Sequence, residues 1–313
     1  MKATSSIVIL GAGPAGLSAA LWLRHMTVDV CVLEAAARAG GLQNLNFLGN
    51  DWVLGQSRET GPGLARKFVD HAALAGVTVR TGALAKRVTG HAGDFRVQLD
   101  DGTALGCAAL VIATGTRYRA EEVLAEVDGL RNIAPGRIAY GPYAFADLDA
   151  LAGRRILIVG GGDNAFENAR LLTARAAQVS VVMRADPQAQ PGLIAAASGC
   201  HVLPHARIAA LAERTGGLEV VLGSGEHIVV DRVHVLAGYE PNTAFIGQVF
   251  ARELHGALRF DAKGYLLVDA AGRTGAAGIY AAGDVCNPRF PSVASAIGQG
   301  AVVAKAIERD LRP

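Results

Sequence analysis

Two glycine-rich turns, each set between a short apolar run and a helical stretch, predict an α/β chain of two Rossmann-like (three-layer ββα) dinucleotide-binding domains. A second apolar run follows each turn about twenty residues on, as a parallel βαβ unit requires. A closing strand-and-glycine segment returns only after the second unit is complete, so the second domain is inserted in the first. The expected domains are 1–116 with 240–313, and 117–239 between them.

The first turn is Gly11-Ala12-Gly13-Pro14-Ala15-Gly16. Ile7, Val8, Ile9 and Leu10 precede it as the continuous apolar run of a strand buried on both faces. Gly11 permits the tight turn, Gly13 lets the backbone approach a pyrophosphate, and Gly16 lets the helix pack against the strand. The helix that begins near Pro14 aims its unpaired N–H groups and positive dipole end at that phosphate. The run 28–33 ends in Glu34, whose carboxylate can accept both hydroxyls of an adenosine ribose. The second turn, Gly160-Gly161-Gly162-Asp163-Asn164-Ala165, follows Ile156-Leu157-Ile158-Val159 and precedes a helical stretch reaching Leu172, with a further strand at 179–182. Glu34 lies 23 positions after Gly11, and the same step from Gly160 lands on Met183, next to Arg184. Two phosphate loops with unlike ribose readers imply two different dinucleotides.

The 313 residues are 51% hydrophobic, enough core for about two domains. A net charge of +2, no basic run and an aromatic share of 5% argue against a nucleic-acid partner. The apolar stretch 7–23 is broken by Gly11, Gly13, Pro14 and Gly16 and has no cleavage pattern. It therefore reads as strand, turn and helix, not as a signal or membrane span, and the expected setting is cytoplasmic with no membrane partner. Cys31, Cys107, Cys200 and Cys286 form no CxxC and no zinc spacing, and scattered thiols fit a reducing compartment. Cys31 and Cys107 fall in apolar runs, as small core residues do. His201, His205, His227, His234 and His255 show no ligand spacing and read mostly as surface residues, so no metal is expected.

Beyond Glu34, Gly40-Gly41-Leu42-Gln43 either lets the chain pass close to a bound cofactor or forms an ordinary loop. Residues 44–62 read as a loop anchored by Trp52, and 64–75 as an amphipathic helix ended by Gly76. Short strands at 77–80, 87–88 and 95–99 follow, and Asp100-Asp101-Gly102 turns a hairpin into 104–107. Leu110-Val111-Ile112-Ala113-Thr114-Gly115 then reads as a buried strand ending in glycine. In the inserted unit a meander at 218–222 and 227–230 leads to the parallel segment 233–238. The chain returns through 265–269 to Ala281-Ala282-Gly283-Asp284 and a helix at 292–309.

Taken together, Gly11 to Gly16, Glu34, Ala113-Thr114-Gly115, Gly160-Gly161-Gly162-Asp163 and Ala281-Ala282-Gly283-Asp284 resemble the FAD-dependent pyridine nucleotide–disulfide oxidoreductases. Length and the missing C-terminal interface domain look like the low-molecular-weight thioredoxin reductase branch. The resemblance implies FAD in the first unit, NADPH or NADH in the second, and a homodimer. It places FAD on Gly11, Gly13, Pro14, Ala15, Gly16 and Glu34, then on Gly41, Gln43 and Val88. Ala113, Thr114, Gly115, Gly283, Asp284 and Val293 complete that set, with Asp284 on the ribityl chain. The last helix would aim its N-terminus at the flavin pyrimidine ring, where its positive dipole end stabilises negative charge. NAD(P)H falls to Gly160, Gly162, Asp163, Asn164, Ala165, Arg184 and Gly238.

Three stretches depart from that pattern. Where thioredoxin reductases carry CxxCD, this chain has Tyr143-Ala144-Phe145-Ala146-Asp147, so only the aspartate, a proton donor in the relatives, is retained. Disulfide exchange needs an attacking and a resolving thiol, so the usual thioredoxin route is closed. The stretch is more like the ferredoxin/flavodoxin–NADP reductases of thioredoxin reductase type, although those resemble longer chains with an aromatic C-terminal extension. Where NADPH users show His-Arg-Arg, this chain has Met183-Arg184-Ala185, with Ala189 in place of the third basic residue and no Asp or Glu present to prefer NADH. Weak NADPH preference, tolerance of either nucleotide and a degenerate site all remain open. Where Arg-Gln precedes the last helix in relatives, Pro288-Arg289-Phe290-Pro291-Ser292-Val293 stands here, either facing flavin or substrate or forming a helix-entry turn.

The candidate catalytic residues are Asp147, Tyr143 and Cys286. Cys286 is either a reactive thiol with its pKa lowered by a helix N-terminus or a buried cap-region residue. Tyr140, Tyr143 and Phe145 either shield the isoalloxazine or belong to a core. The expected function is hydride transfer from NAD(P)H to FAD, with electrons passed directly to a small-molecule or small redox-protein acceptor. Two alternatives stay open: an FAD oxidase or dehydrogenase of a small molecule, a dithiol among the candidates, that no longer uses NAD(P)H, and a non-catalytic flavin-binding partner.

Overall fold

The computed structural model describes residues 6–47, 49–141 and 148–312. The chain divides into two compact units, residues 1–117 with 240–313 and residues 118–239.

The first unit is built on a five-stranded parallel sheet ordered Ile279–Ala281, Ala109–Ile112, Ile7–Leu10, Val30–Glu34, Thr78–Thr81. Both faces are covered, which is why its strands read as unbroken apolar runs. Ile7 and Ile9 point into one core with Leu17 and Leu23 of the Pro14–His25 helix and Val303 and Ile307 of the Val293–Asp310 helix. Val8 and Leu10 point the other way, into a core with Phe95, Val97 and Leu99. That second cover is a three-stranded antiparallel sheet, Ala85–His91, Asp94–Leu99 and Ala104–Cys107.

The helix expected at 64–75 runs instead over Gly61–Leu74, because the Thr60 hydroxyl caps it by accepting the Gly63 N–H at 3.3 Å. Gly76, at φ +74°, still ends it. Trp52 does not anchor the preceding loop. It is 86% exposed, while Val53 beside it turns inward in the loop between the short paired strands Gly49–Asn50 and Glu59–Thr60.

The second unit repeats the plan. Its parallel sheet is ordered Ile138–Tyr140, Arg232–Val235, Arg155–Val159, Gln178–Val182, His201–Leu203. Ile156 and Ile158 pack on Phe166, Ala169 and Leu172 of the Asp163–Thr173 helix. Leu157 and Val233 pack on a meander of three strands, Ile208–Arg214, Gly217–Leu222 and His227–Val230, one more than the sequence suggests. Tyr140 lies half-buried against that meander. His234 departs from its expected surface position: it is 1% exposed on the central strand, and burial pushes its pKa down to about 4.

Arg155 and Asp231 fasten the start of that sheet. The Asp231 carboxylate accepts from the Arg155 backbone N–H and guanidinium at 2.8 Å, and Arg155 beside it holds its pKa down to about 2. A depressed pKa means this stabilisation is present above about pH 4 and is lost as pH falls toward 2. Asp231→Asn is therefore expected to cost about 1 kcal/mol at pH 7, given the partial exposure of the pair. The cost should vanish in acid, as read by urea midpoints across pH.

Candidate dinucleotide sites

In the first unit the three glycines of the opening turn have separate physical reasons. Gly11 sits at φ +106°, and a Cβ there would lie 2.4 Å from the Ala113 carbonyl oxygen. A Cβ on Gly16 would lie 2.0 Å from the Gly11 carbonyl oxygen, so the helix closes onto the turn itself as well as onto the strand. Gly13 is different: its backbone is extended (φ −76°, ψ −178°), and the nearest atom to a Cβ would be Gly41 Cα at 3.9 Å. The space that Gly13 leaves open, at a helix N-terminus with no acidic residue in its first turn, suits a phosphate.

Glu34 bridges this turn. One carboxylate oxygen accepts the Ala12 N–H and the other the Ala36 N–H, both at 2.9 Å, which fixes the carboxylate at the strand end. Gly41, at φ +60°, runs against Gly13, since its Cβ would come 3.1 Å from Gly13 Cα. The Gly40-Gly41 backbone thus passes close to the opening turn. Gly283, at φ +84°, packs on Ala15 and donates its N–H to Gln299 Oε1 at 2.7 Å. Thr114 is held by Asn242, which donates to its carbonyl and accepts from its hydroxyl, each at 2.8 Å. Gln299 and Asn242 escape a motif reading because they act from distant chain positions. Gly115 takes φ +64° beside them.

Two buried acceptors in this unit, Asp284 Oδ1 and Gln43 Oε1, have no donor among the described residues. Buried polar atoms are ordinarily satisfied. A ligand rich in hydroxyl and amide donors, as FAD is, would supply what they lack. Burial pushes the Asp284 carboxyl up to about 6, with the Ser292 N–H acting in the opposite direction. Ser292 caps the Val293–Asp310 helix, its Oγ accepting the Ser295 N–H at 3.1 Å. The residues present thus fit FAD.

Cys286 departs from its reactive-thiol alternative. Cys286 has no lowered pKa: burial and then the neighbouring Asp284 charge push it up to about 12. Its thiol donates to the Gly283 carbonyl at 3.4 Å. Val88 has its side chain wholly in the core and its carbonyl accepting from Ala251 N–H, so it presents no free side chain to a ligand. Tyr143 and Asp147, with Ala144, Phe145 and Ala146, lie outside the described residues. Phe290 is 70% exposed in the helix-entry turn, with its carbonyl accepting from Asn287 Nδ2.

In the second unit Gly160 takes φ +151°, and its Cβ would lie 2.2 Å from the Leu236 carbonyl oxygen. Ala165 is buried at the third glycine position, whereas Gly162 is open, with nothing within 4 Å of a Cβ. Asp163 is turned aside: its carboxylate accepts the Gln190 N–H at 2.8 Å and the Gln190 side-chain amide at 3.0 Å. With Gln188 N–H donating to the Gly161 carbonyl, the 184–190 loop is fastened to the turn.

The sheet registers match. Leu10 pairs with Leu33 and Val159 with Val182, each one residue before its first glycine and before its ribose reader, so Met183 stands where Glu34 does. Glu34 binds Ala12; Met183 is buried against Gly161, the equivalent residue. Arg184 is exposed, with no ion-pair partner among the described residues. An acidic residue is present after all: Asp186 lies two positions beyond Arg184, 3.0 Å from His205 Nε2. Gly238, at φ +88°, accepts the Arg119 N–H at 3.0 Å.

Two ββα units, each with a glycine turn opening onto a helix at the carboxyl ends of a parallel sheet, define a double dinucleotide-binding protein. Residues 5–300 match the family model for the pyridine nucleotide-disulphide oxidoreductases, and the chain belongs to that family. It is 27% identical to thioredoxin reductase of Listeria monocytogenes, over 96% of this chain and 91% of that protein. It is 28% identical to an alkyl hydroperoxide reductase component of Pseudomonas putida over 96% of its own length, and it spans only 57% of that longer relative. Its structure is similar to thioredoxin reductase of T. acidophilum, with a TM-score of 0.83 at 26% identity, covering 97% of each chain. Within that family the chain shares the fold of the thioredoxin reductases, and it spans little more than half the length of the alkyl hydroperoxide reductase relatives it matches. Among the described residues no helix is long and apolar enough to cross a membrane.

Proposed function

We propose that the chain takes hydride from NAD(P)H and passes the electrons from its flavin directly to an external acceptor, without a thiol relay. The supporting observation is the cysteine set. The four cysteines stand at 31, 107, 200 and 286, none three positions from another as a CxxC requires, and Cys286, the one near Asp284, is held as a thiol. Bound FAD supplies the two-electron chemistry, and the protein supplies position and electrostatics. Gly13 and the Pro14–His25 helix would hold the diphosphate, Glu34 the adenosine ribose, and Asp284 the ribityl hydroxyls. The acceptor is a small molecule or a small redox protein, the assembly is a homodimer, as the resemblance implies, and the setting is cytoplasmic.

Anaerobic mixing of the purified protein with NADPH and with NADH tests the reading. Prompt loss of the flavin's visible absorbance with either nucleotide supports it. A flavin that a dithiol reduces and neither nucleotide touches would transfer the protein to the oxidase class. NADPH-driven reduction of thioredoxin at a high rate would overturn the direct route.

Arg184 is the candidate reader of a 2′-phosphate, since Met183 offers no acceptor for ribose hydroxyls and the Asp186 carboxylate is engaged by His205. Arg184→Ala is expected to raise KM for NADPH about tenfold and to leave that for NADH within a factor of about two. Equal changes for both nucleotides would remove Arg184 from that role.

A further inference from the structure

The glycine turn and ribose reader fix the direction in which a dinucleotide crosses the second unit. Adenosine would lie over the Gln178–Val182 side, next to Met183 and Arg184. The other nucleotide must then run across the carboxyl ends of Arg232–Val235 and Ile138–Tyr140, the strands on the opposite side of Arg155–Val159. Those ends lead to Gly238-Tyr239 and to Gly141.

An aromatic stack is built there. Tyr118 lies against Gly141, where a Cβ would come 2.9 Å from Tyr118 Cγ, so no side chain fits between. Tyr239 lies over Tyr118 with ring centroids 4.4 Å apart and planes inclined at 39°. The Tyr239 hydroxyl donates to the Tyr118 hydroxyl at 2.8 Å and accepts from Asn164 Nδ2. Asn164 belongs to the first turn of the Asp163–Thr173 helix, so the stack is tethered to the phosphate turn itself. Tyr118 is half-buried, and burial raises its hydroxyl pKa, while Tyr239 keeps 36% of its surface open.

We infer that Tyr239, backed by Tyr118 and Gly141 and tied by Asn164, is the aromatic surface on which the nicotinamide ring of the dinucleotide rests. This rests on the reading that the second unit takes NAD(P)H. A flat ring offered to a flat, partly dry heterocycle gains dispersion and offset-stacking energy, and a pre-set ring loses little freedom on binding.

The probes are NADP⁺, NAD⁺ and ADP-ribose, the last carrying the adenosine and both phosphates but no nicotinamide. They are titrated calorimetrically into the oxidised, FAD-loaded full chain. Tyr239→Ala is expected to weaken the dinucleotides about tenfold and ADP-ribose by less than about twofold, whereas Tyr239→Phe keeps the dinucleotides within about threefold. Gly141→Ala, which displaces Tyr118 and through it Tyr239, should reproduce the selective loss more weakly, and it serves should Tyr239→Ala fail to fold. Equal losses for dinucleotide and ADP-ribose, or no loss for either, would overturn the assignment. Wild-type protein that binds none of the three probes would instead refute NAD(P)H use by this unit, and the assignment with it. Gly162→Val, expected to abolish all three affinities, shows that the binding seen in wild type is to this unit, so the wild-type titration separates those two failures.

Discussion

Gly13→Val is expected to give a folded protein that does not hold FAD, with affinity lowered at least about 100-fold. The backbone at Gly13 is extended, a region open to every residue, and a Cβ there meets only Gly41 Cα at 3.9 Å. The side chain therefore costs the fold little and occupies the space a diphosphate needs beside the first-turn N–H groups. Gly16→Val is the contrasting case. Its Cβ would lie 2.0 Å from the Gly11 carbonyl oxygen, so the helix cannot close onto the turn and the protein should not fold. The pair separates the binding role of one glycine from the packing role of another three residues away. Visible absorbance per protein and the thermal midpoint after FAD removal measure the two outcomes. A yellow Gly13→Val protein would show that FAD does not lie on this turn.

The same contrast explains what the sequence could disclose. The parallel strands were legible because both faces are covered: Ile7 and Ile9 serve one core and Val8 and Leu10 the other, leaving no polar position to blur the run. Positive-φ glycines such as Gly11 and Gly160 were legible because local backbone geometry demands them. Contacts closed over long sequence distances were not. Tyr118 and Tyr239 are 121 positions apart, and nothing in either neighbourhood marks a stack. Asn242 and Gln299, which hold Thr114 and Gly283, are invisible for the same reason.

Trp52 and Cys286 mislead in opposite senses. A tryptophan in a loop suggests an anchor, yet the inward position belongs to Val53. A cysteine near a helix N-terminus suggests a lowered pKa, yet desolvation exceeds the dipole once the thiol is buried beside a carboxylate. Asp186 lies outside the fixed motif positions, and its engagement by His205 depends on where the His201–Leu203 strand ends.

Asp284 should make the stability of the FAD-free protein fall as pH rises from about 4 to about 6. Its carboxyl has a folded-state pKa of about 6 against 3.8 for an unperturbed group, with burial as the main cause. The folded state therefore holds that proton more tightly than the unfolded chain does. Stability from this group is complete below the unfolded pKa and is lost as pH rises through the folded one. The shift corresponds to about 3 kcal/mol between the two limits. Asp284→Asn, which cannot ionise, should flatten the profile over that range in urea titrations of stripped protein. FAD adds the complementary effect. A hydroxyl donor to Asp284 Oδ1 favours the carboxylate, so bound FAD lowers the pKa and its affinity must rise with pH, by at most about tenfold per unit. That slope should also disappear in Asp284→Asn. Identical pH profiles for wild type and Asp284→Asn, in stability and in FAD affinity alike, would show that the orphaned oxygen at the end of the Ile279–Ala281 strand is not where the ribityl chain binds.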